Sequence, residues 1–218
     1  MLPISIIAIL VALTVHEWAH ALAAKRLGDD TAESMGRLTL NPLAHLDPLG
    51  AILFLVVGFG WAKPVPVDVR NFRHPVRDAA IVAFAGPLSN LVLAFAVMVA
   101  MLWLGPDGRF PVEGSQSMEA ITDIAAAFLF YSLRFNLALM AFNLLPIPPL
   151  DGSNILRLFL PWHARDRYDE AMRYGPWILL ALLLAESFLG VRVISAWVGG
   201  VIDLVLAGFS AFLGLFGF

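Results

Sequence analysis

Four stretches of this chain, Ile4 to Leu27, Ala79 to Leu104, Ile121 to Leu145 and Val193 to Phe218, are long and almost free of charge. A crossing helix needs about 20 predominantly apolar residues, so each is long enough to span a bilayer. Trp177 to Leu189 is a fifth, shorter apolar segment. Hydrophobic residues make up 60% of the chain and charged residues 14%, against about 45 to 50% and about 25% in soluble domains. The expected fold is an all-α polytopic membrane protein of about five to six transmembrane segments. It is read as one membrane domain over residues 1–218, with a core at about 4–160 and C-terminal helices at about 174–218.

The few basic residues orient these segments. Lys25 and Arg26 follow the first apolar run and no basic stretch precedes it, which argues for a retained first helix with a cytoplasmic C-terminal end. Residues 105–119 hold a single basic residue, Arg109, and read as an external loop. Arg157, Arg165, Arg167 and Arg173 mark the cytoplasmic side again. Gly50 to Gly60 is apolar but too short to cross, and Arg37 on one flank with Lys63, Arg70, Arg73 and Arg77 on the other suggests a re-entrant piece. The net charge of −3 argues against nucleic acid as a partner, and the absence of Cys rules out disulfides and thiolate ligands.

Within the first run stands Val15-His16-Glu17-Trp18-Ala19-His20-Ala21. Residues four apart share a helix face, so His16 and His20 can aim two imidazoles at one metal ion, with Glu17 beside it as the general base. Ionisable groups inside a crossing helix are expensive and are read as functional. Imidazole suits zinc, which in catalytic sites takes three protein ligands and leaves a position for water. Without Cys the third ligand is Asp, Glu or another His. Asp151 is well placed, on the proline-broken stretch that follows an inward-running helix.

Five blocks, His16 to His20, Asn41 to Gly50, Gly60 to Val67, Ala85 to Asn90 and Phe142 to Gly152, together resemble the site-2 protease family of intramembrane zinc metalloproteases, in its short prokaryotic branch without PDZ or CBS domains. The resemblance implies a three-helix catalytic core at Ile4 to Leu27, Ala79 to Leu104 and Ile121 to Leu145. It implies one Zn²⁺ per chain on His16, His20 and Asp151, with Glu17 activating water and Asn143 steadying the substrate or the oxyanion. It also implies a lipid-embedded substrate, a single-pass membrane protein such as an anti-sigma factor or a membrane-tethered regulator. The cytoplasmic (inner) membrane is the implied location, with the active site towards its cytoplasmic half. Ser153-Asn154 stand where many members have Gly-Arg, and control is expected from outside this chain.

The extended pieces Leu38 to Leu40 and Val65 to Val67 are read as short membrane-associated β elements able to hold an unwound substrate by strand addition, which makes Leu38, Thr39 and Val65 candidate substrate contacts. Asn136 is a fourth candidate, as a polar group that must face the bundle or a wet cavity. His45 is assigned either a place behind the ligands or a hydrogen bond within its own turn. Arg134 is expected to be buried against carbonyls or a carboxylate, and Glu186 to be a helix-end acid. The competing function is a non-catalytic zinc-binding scaffold or carrier, and the presence of Glu17 favours the enzyme.

Overall fold

The computed structural model describes residues 2–50, 52, 60–104 and 124–216, and eight α-helices lie wholly among them. These are α1 (Leu2–Arg26), α2 (Thr31–Ser34), α3 (Pro75–Leu104), α4 (Ile124–Asn143), α5 (Asp151–Phe159), α6 (Trp162–Met172), α7 (Gly175–Leu189) and α8 (Val193–Gly214). Helices α1, α3, α4 and α8 are each long and apolar enough to cross a membrane. The pair α6 and α7, bent by 58° at a short break, makes a fifth crossing if it is one span. The chain is an all-α polytopic membrane protein.

Helices α1, α3 and α4 pack on one another as a three-helix core, and α5 packs on α3. Helix α1 turns Ala8, Ala12, His16, His20 and Ala24 inward at a spacing of four, all buried. Small residues on such a stripe let helices approach closely in a bilayer, where lipid supplies no hydrophobic drive for association. Beyond the alanines, Ala94, Val97 and Met98 of α3 pack against Leu133, Leu137, Met140 and Ala141 of α4. Leu213 of α8 closes that cluster, and Trp197 of α8 donates its indole N–H to the Ala141 carbonyl (2.9 Å).

The helix starts and stops have local causes. Pro75 stands at the first position of α3, where a missing N–H costs nothing, and the Asp78 carboxylate reaches back to the His74 N–H (2.9 Å). That moves the start of α3 four residues ahead of the expected Ala79. Glu186, near the end of α7, accepts from the Ile194 and Ser195 N–H groups (both 3.0 Å) and so satisfies the first turn of α8. The expected helix-end acid is thus a cap supplied by the preceding helix. Residues 162–172, read from the sequence only as a basic flank, form α6. Arg134 is exposed instead of buried, with its guanidinium over the Phe130 ring at 5.6 Å from the centroid.

The expected β elements do not form among the described residues, where a single antiparallel bridge joins Leu46 to Ala62. Pro64 and Pro66 have no N–H to donate to a ladder. Side chains satisfy the backbone instead: Arg37 donates to the Lys63 and Pro64 carbonyls, and a His45 ring nitrogen bonds the Thr39 carbonyl. The expected re-entrant piece and external loop fall on 51, 53–59 and 105–123, outside the described residues.

Candidate metal centre

Two histidines on one helix face can meet at a single point only if their rings are held in one tautomer. His20 Nδ1–H donates to the Val82 carbonyl of α3 (2.7 Å), and His16 Nδ1 lies 2.6 Å from Asn90 Oδ1. The Asn90 amide gives both of its hydrogens away, to the Ala12 carbonyl (3.1 Å) and to Asn136 Oδ1 (2.8 Å). Its Oδ1 is therefore the acceptor and His16 Nδ1–H the donor. Both Nε2 lone pairs are left pointing into the site, 3.0 Å apart, with the rings nearly perpendicular at 87°.

The acid arrives from the far side of the core. After α4 the chain runs through Pro146 to Pro149 and doubles back, so that a Cβ on Gly152 would sit 2.3 Å from the Leu144 carbonyl and 2.4 Å from that of Leu145. Only glycine fits so close a return, and it places Asp151 at the first turn of α5, against α1. Asp151 Oδ2 lies 3.2 Å from His16 Nε2 and 3.4 Å from His20 Nε2, and no hydrogen bond reaches it.

Three acceptors thus converge with no donor among them. Two nitrogen lone pairs and a carboxylate oxygen at 3.0 to 3.4 Å repel one another, and a cation bound among them would turn that repulsion into attraction. A tetrahedral ion bonded at about 2.0 to 2.1 Å separates its ligand atoms by about 3.3 Å, close to the observed triangle. His16, His20 and Asp151 form a group able to hold a metal ion. Helix α3 walls the site with backbone: a Cβ on Gly86 would lie 2.4 Å from His20 Nε2 and 2.6 Å from His16 Cε1.

Glu17 is buried at 8% exposure next to this triangle, and its Oε2 accepts from the Val65 N–H (3.2 Å). The Val65 N–H, which strand addition of a substrate would need, is taken by Glu17. Leu38 and Thr39 are partly exposed, and the Thr39 carbonyl is held by His45. His45 is fully buried in its own turn, and the groups behind the two histidines are Asn90 and the Val82 carbonyl instead. Asn136, fully buried, donates to the Ser132 carbonyl (2.7 Å) and accepts from Asn90, so it lies inside the bundle behind His16. Asn143 ends α4 with its amide on the Leu139 carbonyl (3.0 Å). In the sequence Gly86-Pro87 signal a kink or a close helix approach and Arg37 a cytoplasmic flank, and Asn90 carries no site role of its own; Gly86 and Asn90 are four residues apart on one face of α3, which is the signal that joins them.

Comparison with known proteins agrees with this geometry. Residues 4–185 match Peptidase family M50. YwhC of Bacillus subtilis (strain 168) is 40% identical over 211 residues, covering 97% of this chain and 93% of that protein. Rip2 of Mycolicibacterium smegmatis is 32% identical over 82% of this chain and 65% of its own length, and MJ0611 of Methanocaldococcus jannaschii 32% over 71% and 69%. All three bear the names of zinc metalloproteases. No solved structure is a significant match. With two histidines and an aspartate converging inside a membrane bundle and four-fifths of its length matched, the chain belongs to peptidase family M50, the family of the site-2 proteases.

Proposed function

We propose that this protein is a zinc-dependent intramembrane endopeptidase that cleaves transmembrane segments of single-pass membrane proteins. The observation that carries this reading is the donor-free triangle of His16, His20 and Asp151 with the Glu17 carboxylate beside it. Bound there, zinc supplies Lewis acidity that polarises a scissile carbonyl and makes water acidic enough to lose a proton near neutral pH.

The chain's own residues do the rest. Asn90 and the Val82 carbonyl hold the two rings in the tautomer that leaves Nε2 free. The Val65 N–H fixes one oxygen of Glu17, leaving the other to take a proton from the attacking water and return it to the leaving amine. Asn143 is the side chain assigned to the developing oxyanion, a role its amide fills by turning from the Leu139 carbonyl. Leu38 and Thr39 remain the candidates for holding an unwound substrate by strand addition. An anti-sigma factor or a membrane-tethered regulator is the proposed substrate class, and the basic flanks support a site towards the cytoplasmic half of the inner membrane.

The test is cleavage of a panel of tagged single-pass segments by purified protein, with metal content measured in parallel. Zinc in both wild type and Glu17→Gln, with product only from wild type, is the expected result. Zinc without product from either protein would favour the scaffold reading, and product from Glu17→Gln would overturn the role given to that residue.

A further inference from the structure

Arg37 is 5% exposed, which is unusual for a guanidinium, and among the described residues its hydrogen-bond partners are backbone carbonyls. Its Nη2 donates to the Lys63 carbonyl (2.6 Å) and its Nη1 to the Pro64 carbonyl (3.3 Å). The Pro64 carbonyl and the Val65 N–H are the two ends of one peptide unit. Arg37 therefore holds the oxygen end of the same peptide whose hydrogen end donates to Glu17 Oε2. A planar, rigid amide lies between a buried cation and a buried anion with its dipole aligned to both. Pro64 and Pro66 restrict the backbone on either side, and the Lys63 N–H is fixed on the His45 carbonyl (2.9 Å).

We propose that Arg37 is a positioning residue for Glu17, acting through the Pro64–Val65 peptide: it orients and polarises that amide so that the Val65 N–H holds the carboxylate in place for proton transfer. A buried cation held by carbonyls is costly to retain, and a peptide aimed at the general base gives it a reason to be there. This rests on the protease reading for its consequence in catalysis but not for the coupling itself, and the test separates the two.

Two measurements are made on full-length protein, with wild type, Arg37→Ala, Arg37→Lys and Glu17→Ala, and with exposed Arg167→Ala as control. The first is amide exchange at residue 65. Pro64 and Pro66 have no amide hydrogen, so that position is read with little overlap. Exchange is expected to rise by about tenfold in both Arg37→Ala and Glu17→Ala and to stay unchanged in the control. The second is turnover: Arg37→Ala lowers kcat by about tenfold to a hundredfold with KM within about threefold, and Arg37→Lys recovers part of it. In a Val65→Pro background, which lacks the N–H, adding Arg37→Ala costs less than about twofold.

A residue 65 amide that stays protected in Arg37→Ala overturns the coupling whatever the activity. Losses that multiply in the double variant, or a loss confined to KM, overturn the positioning role. Raised exchange in both variants from a wild type that cleaves nothing supports the coupling and counts against the protease reading alone. Should Arg37→Ala not accumulate, Arg37→Lys, whose ammonium cannot bridge both carbonyls in the same geometry, carries the same tests.

Discussion

Asn90 Oδ1 lies 2.6 Å from His16 Nδ1, a contact between residues 74 apart in sequence that decides which nitrogen of His16 faces His20 and Asp151. Partners of this kind fix ring orientation and are worth about 10- to 100-fold in metal affinity. Asn90→Ala is expected to weaken zinc binding by about that factor, measured by competition with a chromophoric chelator. Affinity within about twofold of wild type would show that His16 is oriented by something else.

Gly86 offers a sharper steric test. A methyl there meets imidazole atoms of both His20 and His16 at 2.4 to 2.6 Å, so Gly86→Ala should abolish stoichiometric zinc and activity together. Gly199→Ala on α8, where nothing lies within 4 Å, should keep both. Metal analysis of the two purified variants distinguishes packing against the site from a general intolerance of alanine in these helices.

Asp151→Asn replaces the third acceptor with a group that can donate. In metal-free protein the new amide hydrogen relieves the repulsion with the two Nε2 lone pairs and is expected to stabilise the fold by about 1 kcal/mol. The added stability that zinc confers on wild type, about 2.7 kcal/mol at a hundred times Kd, should vanish in this variant. Thermal unfolding in detergent with and without zinc reads both effects, and a zinc-dependent shift that survives would remove Asp151 from the ligand set.

Outside the membrane-spanning segments, Asp29 predicts a pH dependence. Burial alone would raise its carboxyl, but hydrogen bonds from the Thr31 hydroxyl, the Asn71 amide and the Asp68 and Thr31 N–H groups outweigh it and hold it below the ordinary carboxylate value. A carboxyl depressed in the folded state stabilises fully above its unfolded pKa of about 3.9 and loses that contribution as pH falls through the folded value. Asp29→Asn should therefore lower stability at pH 7, by about 1 to 3 kcal/mol, and the difference from wild type should narrow below about pH 4. A gap that stays constant with pH would mean the loss is not one of charge.

Glu186→Ala removes the cap on α8 and should cost about 0.5 to 2 kcal/mol with zinc content unchanged, read by thermal unfolding and metal analysis. A fall in zinc content would tie this distant acid to the site, contrary to its hydrogen bonds to Ile194 and Ser195.

The apolar runs and the spacing of His16 and His20 needed nothing but the sequence, because a bilayer forces an uncharged run of this length into a helix and 3.6 residues per turn puts positions four apart on one face. Asp151 was legible for the same kind of reason, since prolines that cannot continue α4 turn the chain back, and Glu17 followed from its neighbours. What the sequence could not decide was how groups distant along the chain satisfy each other. Leu38 to Leu40 and Val65 to Val67 have strand-like patterning, yet pairing needs donors that Pro64 and Pro66 lack, and the freed carbonyls went to Arg37. Asn90 became the orienting partner of His16, Asn136 its support and Gly86 the wall of the site only once α3 had packed on α1. Local periodicity therefore determined the helices and the pairing of two candidate ligands, His16 and His20. The tautomers, the close approach at Gly86 and the peptide between Arg37 and Glu17 were decided by tertiary packing, because each depends on a buried polar atom finding a partner from a different part of the chain.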